Sequence, residues 1–228
     1  MPEAQALTDG RCVPELILHG EEDILSLESV VPGETYRVTS KIVNIIDKGK
    51  MLLFVALKEI SHGSIVCTRI HSKVLLRDVG NTGFNSGVEV QPLAPSVKRP
   101  SREADLVSEY KLRADQAALY RLLGDKNPFH IDWAMAKNMG FQQPILHGLC
   151  TLAISSRTAY EHAIAKGLIK RLPIHVLSCR FTCHVYPGET LIIQTWLVDP
   201  AIMCIETYVK ERPSHPVFKC LLLLSPPQ

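Results

Sequence analysis

The tetrapeptide Pro-Gly-Glu-Thr occurs twice, at 32–35 and again at 187–190, and its surroundings recur with it. Each copy follows an apolar or aromatic residue and leads into a β-rich run, YRVTSKIVNIID in one case and LIIQTWLVD in the other. Further strand-like runs come next: MLLFVALKEI and IVCTRIHSKVLL in the first half, MCIETYVKE and VFKCLLLL in the second. Proline and glycine at a turn and β-branched residues after it have local explanations. The recurrence of the whole order implies two copies of one antiparallel unit.

Between the copies, QPLAPSVKRPSREAD (91–105) holds three prolines and several charges, the composition of a connector. The division that follows is an N-terminal half over 1–95, a linker over 96–105 and a C-terminal half over 106–228. The spacing predicts one long helix from Gly148 to about Lys166, stopped at Gly167. Its buried stripe is read as Leu149, Leu152, Ala153, Ser156, Ala159, Tyr160, Ala163 and Ile164. A shorter helix, DWAMAKNMG, ends at Gly140. The first half has no counterpart to the long helix, because the roughly thirty residues before Pro32 are too few for a strand, a helix and a second strand at ~1.5 and ~3.3 Å per residue. The expected class is α+β: an antiparallel sheet wrapped around a long central helix, with the first half abbreviated.

A chain of 228 residues with 46% hydrophobic content supplies a sizeable core. A net charge of +2 and the lack of long basic runs exclude a nucleic-acid footprint, and Lys98, Arg99 and Arg102 read as solvated surface. Seven cysteines without a C-x-x-C pair fit reduced thiols of an intracellular protein. Cys179, Cys183 and His184 are not expected to bind metal: in a strand the two cysteines share one face and His184 points away. No apolar run approaches the ~20 residues of a membrane span, and no cleavable leader or peroxisomal C-terminal address is recognisable. The LLLL at 221–224 fits a strand buried on both faces.

The chemistry-bearing residues crowd into YRLLGDKNPFHID, 120–132. Extended, Asp125 and His130 would stand roughly 17 Å apart with side chains on opposite faces. They share a substrate only if the chain folds back, and Gly124, Asp125, Asn127 and Pro128 favour such a reversal. A surface turn capping a helix accounts for the same composition. PILHGLC, 144–150, then places Gly148 at the start of the long helix, where backbone N–H groups lack intrahelical partners and attract developing negative charge. Gly148 as a simple cap and His147 as a structural histidine is the alternative. Taken together, the two segments present a catalytic pair facing an oxyanion donor.

Tyr120, Gly124-Asp125, Asn127-Pro128, His130 and Asp132, followed by Pro144 to Gly148, resemble the hydratase 2 motif of MaoC-like (R)-specific enoyl-CoA hydratases. LHGEED near residue 18, IIDKG near 45 and the RF…VYPGET run from Arg180 extend the resemblance, over nearly the whole chain, to the two-part hydratase portion of type 2 peroxisomal multifunctional enzymes. It implies a double hotdog fold with a degenerate first half that makes room for bulky acyl chains. It also implies a trans-2-enoyl-CoA substrate, a (3R)-3-hydroxyacyl-CoA product and no cofactor. By the same resemblance Asp125 and His130 hold the water, Asn127 fixes the loop or orients that water, and the Gly148 N–H binds the thioester oxygen. The resemblance also places Tyr120, His19, Gly20, Lys48 and Phe181 against the acyl-CoA; a cation at Lys48 suits the phosphates of CoA, with a solvated turn lysine in DKGK as the alternative. Leu123 departs from the family, which usually has a small hydroxyl residue before Gly-Asp. The compartment implied is peroxisomal, with cytoplasmic as the alternative. Bare apolar strands in the first half call for a cover, and a second copy is the expected one, hence a homodimer. A hotdog acyl-CoA thioesterase and a non-catalytic acyl-CoA-binding or scaffold protein are the competing functions.

Overall fold

The computed structural model describes residues 17–224. The described residues divide into two units, 17–95 with 175–178, and 96–174 with 179–224. The first unit contains β1 (Ile17–Ser26), β2 (Arg37–Asp47), β3 (Met51–His62) and β4 (Ile65–Arg77), in the antiparallel order β2-β3-β4-β1. Glycines with positive φ, Gly49 (80°) and Gly63 (58°), make the two hairpin turns. Its apolar cluster is Ile45, Leu52, Phe54, Leu76 and Val79. Full burial of side chains such as Phe54 and Leu52 stabilises the unit by about 1.5–3 kcal/mol each.

The second unit begins with β5 (Leu106–Lys111), then α1 (Gln116–Arg121), a 3-10 turn (Pro128–His130), α2 (Trp133–Asn138) and α3 (Gly148–Ala165). After these come β6 (Ile174–Phe181), whose residues are shared between the units, and β7 (Thr190–Asp199), β8 (Ile202–Val209) and β9 (Phe218–Leu224). The order β9-β8-β7-β5 is antiparallel throughout. β9 is apolar on both faces as its LLLL implies, with Leu221, Leu222 and Leu224 all buried.

The repeated tetrapeptide makes the same turn in each unit. The Glu34 N–H donates to the Val31 carbonyl and the Glu189 N–H to that of Tyr186, with Gly33 at φ 91° and Gly188 at φ 87°. Proline second and a left-handed glycine third define a type II turn, and each copy feeds a three-strand meander, β2-β3-β4 or β7-β8-β9. Among the described residues the first unit has one strand and no helix before its turn.

Helix α3 spans the expected residues, but its buried face is turned from the expected stripe. Thr151, Leu152, Ser155, Ser156, Ala159, Tyr160 and Ala163 are buried, whereas Ala153 is exposed and Leu149 and Ile164 are half-buried. The reason lies in small polar groups that an apolar pattern does not register. Ser155 sits under β8 with its hydroxyl accepting from Thr207 Oγ1 at 2.9 Å, whereas Ser156, a member of the expected stripe, is buried and donates to the Leu152 carbonyl. A second correction concerns Cys183 and His184. β6 ends at Phe181, so neither is in a strand: Cys179 is buried on β6, Cys183 is exposed beyond it, and His184 packs edge-on against Phe141 and Tyr186. No described helix is long and apolar enough to cross a membrane.

Candidate active site

The reversal between α1 and α2 is built from local hydrogen bonds that its sequence prescribes. Gly124 adopts φ 115°, which admits glycine almost alone. The Asn127 N–H donates to Asp125 Oδ1 at 3.1 Å, and Asn127 Oδ1 accepts the Phe129 N–H at 3.2 Å, so the amide caps the 3-10 turn that Pro128 opens. Asp132 caps α2 through the Met135 N–H at 3.0 Å. Arg121 donates to the Asn127 carbonyl, and buried Phe129 packs against Phe141, which anchors the loop from below.

That fold-back brings Asp125 and His130 together with a third group. Donor atoms of Asp125, His130 and His147 all lie within 4.8 Å of one another. His130 Nδ1 donates to the Ile145 carbonyl at 2.8 Å, which fixes the tautomer and leaves Nε2 with its lone pair. The His147 ring stacks on that of His130, centroids 3.6 Å apart at 25°, and Tyr120 lies 4.7 Å away on its other flank. His147 is 2% exposed. Its nearest polar groups belong to Asp125, whose Oδ2 stands 3.9 Å from Nε2 and whose backbone favours the charged ring. Burial holds the His130 imidazolium below its ordinary range, against the opposing pull of the Ile145 carbonyl and the Asp125 charge. Burial, with His130 beside it, lowers His147 to about 4. Both rings are therefore neutral near pH 7.

His147 is also the N-cap residue of α3, so the residue after it, Gly148, opens the helix beside the stacked rings. The N–H groups of Cys150 and Thr151 turn back onto the His147 carbonyl, and those of Gly148 and Leu149 stand ahead of them at the helix mouth. A Cβ on Gly148 would lie 3.1 Å from the Phe181 ring, so glycine is required here by close approach rather than by an unusual φ.

Six of the nine residues singled out from the sequence thus fall in this one neighbourhood: Tyr120, Asp125, Asn127, His130, Gly148 and Phe181. His19, Gly20 and Lys48 belong to the first unit. There His19 pairs with Glu22 at 2.8 Å, and Gly20 is the extra residue of a bulge in β1, tight against Leu75 and the Lys73 carbonyl. Lys48 is exposed in a turn held by the Asp47 carboxylate, which accepts N–H groups of Gly49, Thr82 and Gly83. Leu123 is 80% exposed on the loop. His147 is the member that stands outside those nine; the sequence leaves a structural histidine as its alternative and assigns it no role. Its position just ahead of a glycine that opens a helix was the available signal.

The MaoC like domain model matches residues 95–215. The chain belongs to the MaoC-like family. It is 34% identical over 218 residues to the "Probable enoyl-CoA hydratase 2" of Dictyostelium discoideum, covering 93% of this chain and 71% of that one. To "Enoyl-CoA hydratase 2, peroxisomal" of Arabidopsis thaliana it is 36% identical, covering 87% of this chain and 65% of the other. The crystal structure of a MaoC-like dehydratase from Phytophthora capsici superimposes with a TM-score of 0.81 at 30% identity, over 96% of this chain and 75% of that one. A Mycobacterium tuberculosis protein described as a double hotdog fold matches with a TM-score of 0.63 over 92% of this chain and 76% of the other; at 13% identity it speaks to the fold alone. The family's fold, a hotdog sheet with few helices, is the fold of this chain.

Proposed function

We propose that this MaoC-like chain is an (R)-specific enoyl-CoA hydratase of fatty-acid metabolism, which adds water across the C2–C3 double bond of a trans-2-enoyl-CoA. The observation that carries the proposal is the gap of at most 4.8 Å between the Asp125 and His130 donor atoms, beside the open end of α3. One water fits there, about 2.8 Å from each partner. His130 Nε2 and the Asp125 carboxylate both accept from it, so its oxygen lone pair is aimed at C3 while its proton is drawn off. As the C3–O bond forms, the π electrons move toward C2 and the thioester oxygen. The Gly148 N–H at the helix start stabilises the resulting enolate-like charge. The proton taken from water then returns to C2 and the pair is regenerated. Asn127, with its side-chain oxygen committed to the Phe129 N–H, holds the loop in shape.

Thioester hydrolysis is the rival on the same fold. Purified protein with crotonyl-CoA and decenoyl-CoA separates the two: hydration removes the conjugated enoyl absorbance and yields the (3R) alcohol with no thiol released. Free CoA in step with turnover contradicts the proposal. A non-catalytic binder would hold the enoyl-CoA and leave it unchanged.

Gly148 offers a further check. Gly148→Val must displace Phe181 from its 3.1 Å approach, and a shift approaching 1 Å at this position costs on the order of 10²-fold in kcat/KM. Wild-type turnover in this variant would remove Gly148 from the site. The proposal also includes a homodimer, supported by apolar residues left half-exposed on β3, Leu53, Leu57 and Ile60, and by Val38 at 63% and Ile65 at 59% exposure. Light scattering across a dilution series should give twice the chain mass, and a monomer at every concentration contradicts it. A peroxisomal setting is supported by the name of the Arabidopsis relative.

A further inference from the structure

The groups that hydration needs come from separate stretches of chain: the loop after Gly124 supplies the Asp125 carboxylate, the 3-10 turn supplies the His130 ring, and the mouth of α3 supplies the Gly148 N–H. His147 meets all of them. Its ring covers one face of His130, centroids 3.6 Å apart at 25°, while the Nδ1 bond to the Ile145 carbonyl holds one edge, so the plane in which His130 Nε2 points is fixed. Its polar edge faces Asp125, with Oδ2 at 3.9 Å from Nε2 and the Asp125 backbone favouring the charged ring. Its peptide bond leads directly to Gly148, the first residue of α3. The stretch is itself anchored, because the Leu146 N–H donates to the Val185 carbonyl at 2.7 Å.

Packing alone does not account for an imidazole here. A phenylalanine ring would stack on His130 and Tyr120 equally well with no polar atoms to desolvate, and burying a polar group that is not fully paired costs about 1–3 kcal/mol. The member in need of a tie is Asp125, whose side chain is 46% exposed on the loop that Gly124 turns. Being neutral near pH 7, His147 carries one ring N–H and sets no second charge beside that carboxylate. We propose that His147 is the positioning residue of the hydration site: its ring sets the plane of His130, its polar edge keeps Asp125 in register with that ring, and its backbone carries the Gly148 N–H in step with both. It touches no reacting atom and takes no proton. This role rests on the hydration reading and adds to it what holds the gap of at most 4.8 Å at its width. The demand on that width is strict, since a shift approaching 1 Å in a catalytic group costs on the order of 10²-fold in rate.

Steady-state kinetics with decenoyl-CoA test the role in two variants, each made with and without Asp125→Asn. His147→Phe keeps a ring on His130 and loses the edge toward Asp125. His147→Gln keeps a side-chain N–H and loses the stack, and it keeps the test valid should the first variant fail to fold. The expected result is a kcat lowered about 10–100-fold in each, the range for removing a group that orients a reacting one, with the loss in kcat rather than in KM. Beside Asp125→Asn, where the carboxylate to be placed is already gone, His147→Phe should cost less than about threefold more. A merely structural role would cost the same factor in both backgrounds. Equal factors, a loss carried wholly by KM, or wild-type kcat in either folded variant overturns the positioning role and leaves the hydratase reading standing. A wild type that binds enoyl-CoA without hydrating it overturns that reading and the role with it.

Discussion

Asp125→Asn and His130→Ala should each lower kcat by about 10²–10⁴-fold, the range for loss of a positioned acid or base. The double variant should lose little more than the worse single one. Both side chains face one gap of at most 4.8 Å, and groups that act as a unit on one water lose their function together, so the second removal has little left to abolish. His130→Ala removes the Nε2 lone pair and also frees the Ile145 carbonyl. Asp125→Asn keeps the shape of the loop, because an amide oxygen still accepts the Asn127 N–H. Strictly multiplicative losses would mean two independent roles and would contradict a shared water. Measuring kcat for the three variants, beside melting transitions that show them folded, decides the matter.

The second large effect is on stability. The folded-state His147 is lowered from 6.5 to about 4 by burial, so between these values the unfolded chain binds a proton that the folded chain refuses. Stability contributed by such a group is fully present above the unfolded value and is lost as pH falls from about 6.5 toward 4. A depression of this size amounts to about 3 kcal/mol. For a chain of this length that corresponds to a fall in Tm of roughly 6–12 °C. His71 and His184, also lowered by burial, act in the same direction. His147→Phe preserves an aromatic ring against His130 and Tyr120 but has nothing to titrate. Protein of both kinds, melted between pH 7.5 and 4, should therefore show a shallower acid loss in the variant. Identical slopes would place the acid sensitivity elsewhere.

The features legible from sequence were those carried by local chemistry. The two Pro-Gly-Glu-Thr copies form the same turn because proline and a left-handed glycine impose it wherever they occur. The fold-back at 124–130 was readable for a similar reason, since Gly124, Asn127 and Pro128 each act on the backbone within a few residues. Tertiary context hid the rest. Helix α3 buries Ser155 because Thr207 satisfies its hydroxyl, and no apolar periodicity reveals that. β5 and β1 carry charged residues, Glu109 and Lys111 in one and Glu21, Glu22 and Asp23 in the other, which mask them as strands. His147 is polar, yet it is buried by rings brought from α1 and the 3-10 turn, a contact no reading of its own neighbours contains.

The most direct test of the central claim follows the oxygen. With a trans-2-enoyl-CoA in heavy-oxygen water, a water held between Asp125 and His130 and delivered to C3 must leave its label in the hydroxyl of an intact (3R)-3-hydroxyacyl-CoA, and Asp125→Asn should slow that incorporation in step with its kcat. Label in a free carboxylate, with CoA released, would show the same site attacking the thioester carbon and would contradict the hydratase account.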